Sequence, residues 1–155
     1  HYYNNVYGLH YTALRYANVY GPRQNPKGEA GVISIFFSKL LEKQPITIYG
    51  GSQTRDYVFV SDVAKANLLA LKDRKSEIYN IGTGNQTSVN ELCEKIKQFF
   101  YFQPQIIYAE KKKGEQEKSC LDYSKATQGL GWVPEVKLDE GLKKTYEWYK
   151  ANKSQ

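Results

Sequence analysis

Apolar positions follow two periods along the chain, and the places where the period changes mark element boundaries. Residues 11–19, Tyr-Thr-Ala-Leu-Arg-Tyr-Ala-Asn-Val, predict one strand, ended by Tyr20-Gly21-Pro22-Arg23 and followed by a loop through Asn25-Pro26-Lys27-Gly28. Ile33, Phe36, Phe37, Leu40 and Leu41 recur at helical spacing and predict a helix over about 30–43, stopped by Pro45. Ile46-Thr47-Ile48-Tyr49 and Tyr57-Val58-Phe59-Val60 predict short strands, and Ser61 or Asp62 is expected to cap a helix over about 63–72. Ile78-Tyr79-Asn80-Ile81 predicts a strand ended by Gly82-Thr83-Gly84. Ser88-Val89-Asn90-Glu91 reads as a capping box before a helix that packs Val89, Leu92, Cys93, Ile96, Phe99 and Phe100. Ile106-Ile107-Tyr108 is a further strand. A short helix after Ser124 ends at Gly131, and Leu138, Leu142, Thr145 or Tyr146, and Tyr149 mark a last helix. Alternating strands and helices place the chain in the α/β or α+β class, with no internal repeat or linker to divide it.

Composition narrows this picture. A length of 155 residues, 41% hydrophobic and 25% charged, suits one ordinary globular domain or one piece of a larger one. No apolar run reaches transmembrane length, and the N-terminus lacks the basic and apolar regions of a signal peptide. The sequence contains no Met, which fits either removal of the initiator or an internal segment of a longer chain. The net charge of +6 comes from 18 Lys and four Arg. The Lys are dispersed apart from Lys111-Lys112-Lys113, as on a solvated surface. The aromatic and basic interleaving of nucleic-acid-binding modules is missing, so no nucleic-acid or membrane partner is expected. Cys93 and Cys120 match no zinc spacing, and His1 and His10 have no acidic or Cys partner nearby, so no metal site is expected. Cys93 falls on an apolar helix face, as a reduced core thiol of a cytoplasmic protein would.

Three features could carry chemistry. Gly82-Thr83-Gly84 between strand and helix imitates a dinucleotide fingerprint, but its third glycine is missing, and a plain tight turn explains it equally. Tyr and Lys four apart on a helix can form a proton-transfer pair. Tyr108/Lys112, Tyr146/Lys150 and Tyr149/Lys153 are close to the number chance would give. The Arg residues say more. In a chain that otherwise uses Lys, Arg15, Arg23 and Arg55 stand on strands or loops, where a planar fork suits diphosphate. An ion pair, of Arg55 with Asp56 or another acid, is the alternative.

The ordered set Leu14-Arg15-Tyr16-Ala17-Asn18-Val19-Tyr20-Gly21-Pro22-Arg23, Ile48-Tyr49-Gly50, Gln53-Thr54-Arg55-Asp56-Tyr57, Asp62-Val63-Ala64, Tyr79-Asn80-Ile81-Gly82 and Leu130-Gly131-Trp132 resembles the NAD-dependent nucleotide-sugar epimerases and dehydratases, the extended short-chain dehydrogenases. Gly28-Glu29-Ala30-Gly31 before a helix is most similar to their UDP-glucose 4-epimerase branch. The resemblance covers nearly the whole chain. It implies an α/β, C-terminal substrate-binding part whose strands, within residues 1–20 and 78–84, complete an upstream Rossmann sheet and leave open edges here. It further implies that the catalytic Tyr-x-x-x-Lys and the glycine-rich NAD loop precede residue 1, so this chain contributes no catalytic residue, and that the full enzyme is a homodimer.

By the same resemblance, Tyr16 would border the nicotinamide of NAD. Asn18 would reach the diphosphate or sugar of a UDP-hexose, Tyr49 would hold the base, Arg55 would clamp the diphosphate with Tyr57 near it, and Glu115 would face the ribose. Lys112 stands where the family has a second phosphate-binding Arg, which keeps the charge and loses the fork. Asp62 and Ser88 read as helix caps, and Lys137 stands where the family often has a capping Ser or Thr. A 4,6-dehydratase, a uronate epimerase and a non-catalytic nucleotide-sugar or anion-binding module are the alternative functions.

Overall fold

A computed structural model describes residues 1–27 and 30–152, so Gly28, Glu29 and Lys153 lie outside the described residues. In chain order the elements are helix α1 (Tyr2–Tyr7), strands β1 (Thr12–Tyr16) and β2 (Asn18–Tyr20), helix α2 (Val32–Leu41), strands β3 (Ile46–Tyr49), β4 (Thr54–Arg55) and β5 (Tyr57–Phe59), and helix α3 (Val60–Ala70). Then come β6 (Glu77–Ile81), β7 (Thr87–Ser88), α4 (Val89–Lys97), β8 (Ile106–Ala109), α5 (Ser124–Leu130) and α6 (Leu138–Ala151).

The run expected as one strand over 11–19 is two. β1 pairs in parallel with β6, from Thr12 opposite Glu77 to Tyr16 opposite Ile81, and β2 pairs in parallel with β5. The change of partner falls at Ala17, whose N–H donates to Ile81 C=O (2.9 Å), while the next N–H, of Asn18, donates to Asp56 C=O (2.9 Å). One extended stretch thus joins two ladders, and period-2 patterning is blind to such a change because the side chains keep alternating through it. β3 pairs in parallel with β8, and β4 pairs antiparallel with β7, a two-residue ladder too short to leave a periodic signal. Among the described residues the β1–β6 sheet has two strands, each with an unpaired outer edge.

Two apolar clusters hold these ladders. One gathers α2, α4 and α6 on β3 and β5 through Phe36, Phe37, Leu40, Ile48, Leu92 and Leu142. The other packs α3 and α5 on β6 around Trp132, which is fully buried. Asp62 does not cap α3: the N-cap is Phe59 with no side-chain hydrogen bond. The carboxylate of Asp62, buried in the first turn, instead accepts the N–H groups of Glu135 (3.1 Å) and Val136 (3.0 Å), and Trp132 Nε1 donates to its carbonyl (2.9 Å). A capping motif and a long-range clamp look alike in sequence because both place an acid beside unpaired donors. Ser88 does cap α4, accepting Glu91 N–H at 3.1 Å, and Lys137 at the N-cap of α6 provides no side-chain bond. Cys93 is buried and Cys120 exposed, both free. Among the described residues no helix is long and apolar enough to cross a membrane, and no cluster of His, Cys, Asp and Glu could hold a metal ion.

Candidate functional site

The ladder of β4 with β7 sets the site. Arg55 lies opposite Thr87, and Thr54 is tied on its other side to the 117–119 segment through Glu117 C=O (2.9 Å) and Ser119 N–H (3.1 Å). Backbone held extended sends successive side chains to opposite sides. Arg55 therefore turns one way and Asp56 the other.

On the Asp56 side, a fully buried carboxylate accepts hydrogen bonds from Thr83 N–H (2.9 and 3.0 Å), Thr83 Oγ1 (2.6 Å), Gly84 N–H (3.2 Å) and Leu121 N–H (3.2 Å). A Cβ at Gly82 would stand 2.5 Å from Asp56 Oδ2, so the turn needs glycine in order to approach the acid. The Gly82-Thr83-Gly84 donors that imitate a pyrophosphate loop are therefore spent on the chain's own anion. The plain-turn reading holds, and these residues do not fit the pyrophosphate of a dinucleotide.

On the Arg55 side is a cavity of about 600 Å³, lined among others by Asn18, Tyr49, Arg55, Tyr57, Lys112 and Glu115. Arg55 Nη2 pairs with Glu115 Oε1 at 3.2 Å, and Nη1 donates to the carbonyls of Thr54 (2.9 Å) and Gln116 (2.8 Å). The acid partner of Arg55 is thus Glu115 and not Asp56. Tyr49 is half-exposed at the end of β3, and Lys112 Nζ sits 4.7 Å from its ring centroid, a cation–π contact. Tyr57 is buried, and its hydroxyl has no hydrogen-bond partner. Burial pushes its phenol up to about 12, against an opposing pull from the Arg55 charge. A buried phenol without a partner is uncommon in a finished core and suits a group that a ligand completes.

Six of the seven positions singled out in sequence thus share one cavity. The seventh, Tyr16, does not: it lines a separate hollow of about 480 Å³ with His10, Tyr11 and Arg74, and its hydroxyl donates to Asn67 Oδ1 at 2.9 Å. Ala30 and Gly31 also line the Arg55 cavity, whereas the Gly28-Glu29 part of that motif lies outside the described residues. Of the Tyr-x-x-x-Lys pairs, Tyr146 and Lys150 share a face of α6, with Lys150 Nζ 5.9 Å from the ring centroid, and neither lines the cavity.

Gln53 was not singled out in sequence, yet it organises the cavity wall. It is buried, its Oε1 accepts Gly51 N–H (2.7 Å), and its Nε2 donates to Tyr49 C=O (2.7 Å) and Glu115 Oε1 (3.3 Å). One amide so joins the end of β3, the Gly50-Gly51 turn at φ 70° and 97°, and the acid that holds Arg55. Its signal was its place two residues before Arg55 on an extended run, hence on the same side.

Comparison with known proteins identifies the family. Residues 1–82 match the model of the NAD dependent epimerase/dehydratase family. The chain is 55% identical over 151 residues to a putative UDP-glucose 4-epimerase of Methanocaldococcus jannaschii, covering 97% of this chain and 49% of that protein. It is 43% identical over 155 residues to the UDP-glucose 4-epimerase of Mycolicibacterium smegmatis, covering 99% and 49%. The crystal structure of a UDP-glucose 4-epimerase from Thermotoga maritima with UDP-glucose superposes with a TM-score of 0.94 at 48% identity, over 97% of this chain and 49% of that one. The chain spans about half the length of the curated relatives it matches. With the family model spanning more than half of its residues, the chain belongs to the NAD-dependent epimerase/dehydratase family.

Proposed function

We propose that this chain is the substrate-binding half of an NAD-dependent UDP-glucose/UDP-galactose 4-epimerase, completed by an upstream half that carries the catalytic Tyr and Lys. The supporting observation is the cavity in which Arg55, Lys112, Tyr49, Asn18, Tyr57 and Glu115 converge. Arg55 is poised rather than locked: Glu115 takes one guanidinium nitrogen, and a diphosphate can replace that carboxylate with a bidentate contact. Glu115, once released, is free to accept from the ribose hydroxyls. The exposed ring of Tyr49 offers the base an apolar face, with Lys112 beside it. Asn18 and the unpartnered Tyr57 hydroxyl supply donors toward the diphosphate and hexose. NAD, held mainly by the upstream half, would supply the redox chemistry at the sugar C4. This chain's part is to hold the nucleotide firmly while the hexose turns. Tyr16, at the exposed end of β1, is our candidate for the nicotinamide neighbour.

In this reading β1 and β6 extend the upstream Rossmann sheet, the working enzyme is a homodimer, and the two free thiols suit the cytoplasm. The test is interconversion of UDP-galactose and UDP-glucose by the full-length protein, its Arg55→Ala variant and the 155 residues alone. The full-length protein turns over, Arg55→Ala loses UDP affinity, and the 155 residues alone are inactive. Unchanged UDP affinity in Arg55→Ala, or turnover by the 155 residues alone, overturns the proposal. Formation of a 4-keto-6-deoxy sugar, or activity on UDP-glucuronate alone, would reassign it to a dehydratase or a uronate epimerase.

A further inference from the structure

One cation of the cavity has no assigned role. Val32, Ile35, Phe36 and Lys39 all line it, a stripe at helical spacing along α2 in which three members are apolar and the last is not. Lys39 is half-buried, and among the described residues it has no ion pair and no side-chain hydrogen bond, although lysines elsewhere on the surface find carboxylates. An ammonium facing a partly closed cavity without a partner is in place for an acceptor on a ligand.

Its position along the cavity limits which acceptor. Val32, at the other end of the stripe, borders both this cavity and an adjoining hollow shared with Asn18 and Tyr57. Lys39 stands seven residues further on, about 10 Å along the helix. The turn after α2 folds back on it, Gln44 N–H donating to Lys39 C=O at 2.8 Å, and leads directly into β3, where Thr47 also lines the cavity. Asn18 and Tyr57 therefore mark one end and Thr47 with Lys39 the other, and Tyr49, two residues beyond Thr47 on β3, lies between them.

We propose that Lys39 is a specificity-determining residue that donates to the 4-carbonyl oxygen of the pyrimidine base; this rests on the UDP-sugar reading above. With the diphosphate at Arg55 and the ring on Tyr49, the base edge farthest from the ribose points to the Lys39 end. In uracil that edge carries an oxygen acceptor. In cytosine it carries an amino group, which an ammonium can only face donor to donor.

The test measures UDP and CDP affinity for the full-length protein and its Lys39→Ala, Lys39→Arg and Arg55→Ala variants. The wild type prefers UDP. Lys39→Ala reduces UDP affinity about tenfold, as loss of a charge-assisted hydrogen bond would. Its CDP affinity changes by less than about twofold, and Lys39→Arg keeps most of the preference. Equal weakening toward both nucleotides, or no change toward either, overturns the role of Lys39 while Arg55→Ala still reports the diphosphate site. No effect of Arg55→Ala refutes the underlying reading instead. Lys39 also lies in the last turn of α2, where it favours the helix dipole. A role confined to that would lower thermal stability and leave the UDP:CDP ratio untouched.

Discussion

The glycine turns after β6 and after β3 differ in what lies beside them: a buried carboxylate at one, an open cavity at the other. The Gly82-Thr83-Gly84 turn after β6 has the spacing that suggests phosphate, yet its donors converge on the buried carboxylate of Asp56. The Gly50-Gly51 turn after β3 has no such spacing, yet it borders the open cavity. Gln53 satisfies its backbone and so leaves Arg55, Tyr57 and Tyr49 facing open space. In both turns the backbone donors are used within the chain, by Asp56 in one and by Ala109, Tyr49 and Gln53 in the other, so an anion at the second is left to the Arg55 side chain, and sequence spacing does not record who uses the donors. Arg55 and Asp56 make the same point at one residue's remove: adjacent charges on an extended strand serve opposite sides, one the ligand and the other the fold.

Removing Asp56 breaks the comparison most severely. Asp56→Ala leaves the N–H groups of Thr83, Gly84 and Leu121 without their acceptor, and we expect a loss of about 3 kcal/mol or more in stability, read by urea denaturation. A loss below about 1 kcal/mol would mean that water can satisfy the turn. Arg55→Ala, on the opposite side, should cost about 2 kcal/mol of UDP affinity by calorimetric titration of the full-length protein, with a smaller stability loss of about 1 kcal/mol from its bonds to the Thr54 and Gln116 carbonyls and to Glu115. Gln53→Leu should lower both properties, by about 1 kcal/mol in stability, because Gly51 N–H and Tyr49 C=O keep only their own bond to each other (2.9 Å) and Glu115 loses a donor.

The smallest effect has the more diagnostic sign. Tyr57→Phe removes a buried hydroxyl without a partner and should raise stability by up to about 1 kcal/mol while weakening UDP binding severalfold. Opposite signs in one variant would mark a group kept for the ligand. The same phenol gives a pH dependence. Its folded-state value near 12 lies above the unfolded value near 10, so the folded state holds the proton more tightly. Stability is then full below pH 10 and falls as pH rises through the interval toward 12, and the fall should be shallower in Tyr57→Phe.

Much of this was readable in the sequence, for physical reasons. α2, α4 and α6 announce themselves because each buries a stripe against one cluster, and α5 ends at Gly131 as expected, at φ 66°. The change of partner at Ala17 was not readable, since two ladders in line share one alternation. The β4–β7 ladder was too short, and Asp62 looked like a cap because its partners at 135–136 are far along the chain. For the site, residue type led to Arg55, and the family resemblance to Tyr49 and Glu115. The sharing of one buried amide by three loops did not show, because Gln53 carries neither charge nor periodicity. Lys39 was hidden for a related reason: it completes an apolar stripe, where a helix pattern expects either another apolar residue or a solvated charge.

In the proposed function the Arg55 side chain, and not the glycine-rich turn that resembles a phosphate loop, receives the nucleotide diphosphate. A crystal structure of the full-length protein with UDP tests it directly. The diphosphate is expected within hydrogen-bonding distance of Arg55, with Glu115 withdrawn from the guanidinium and the Asp56 bonds to Thr83 and Gly84 unchanged. A diphosphate on the Gly82–Gly84 turn with Asp56 displaced, or a UDP that leaves Arg55 paired to Glu115, would contradict it.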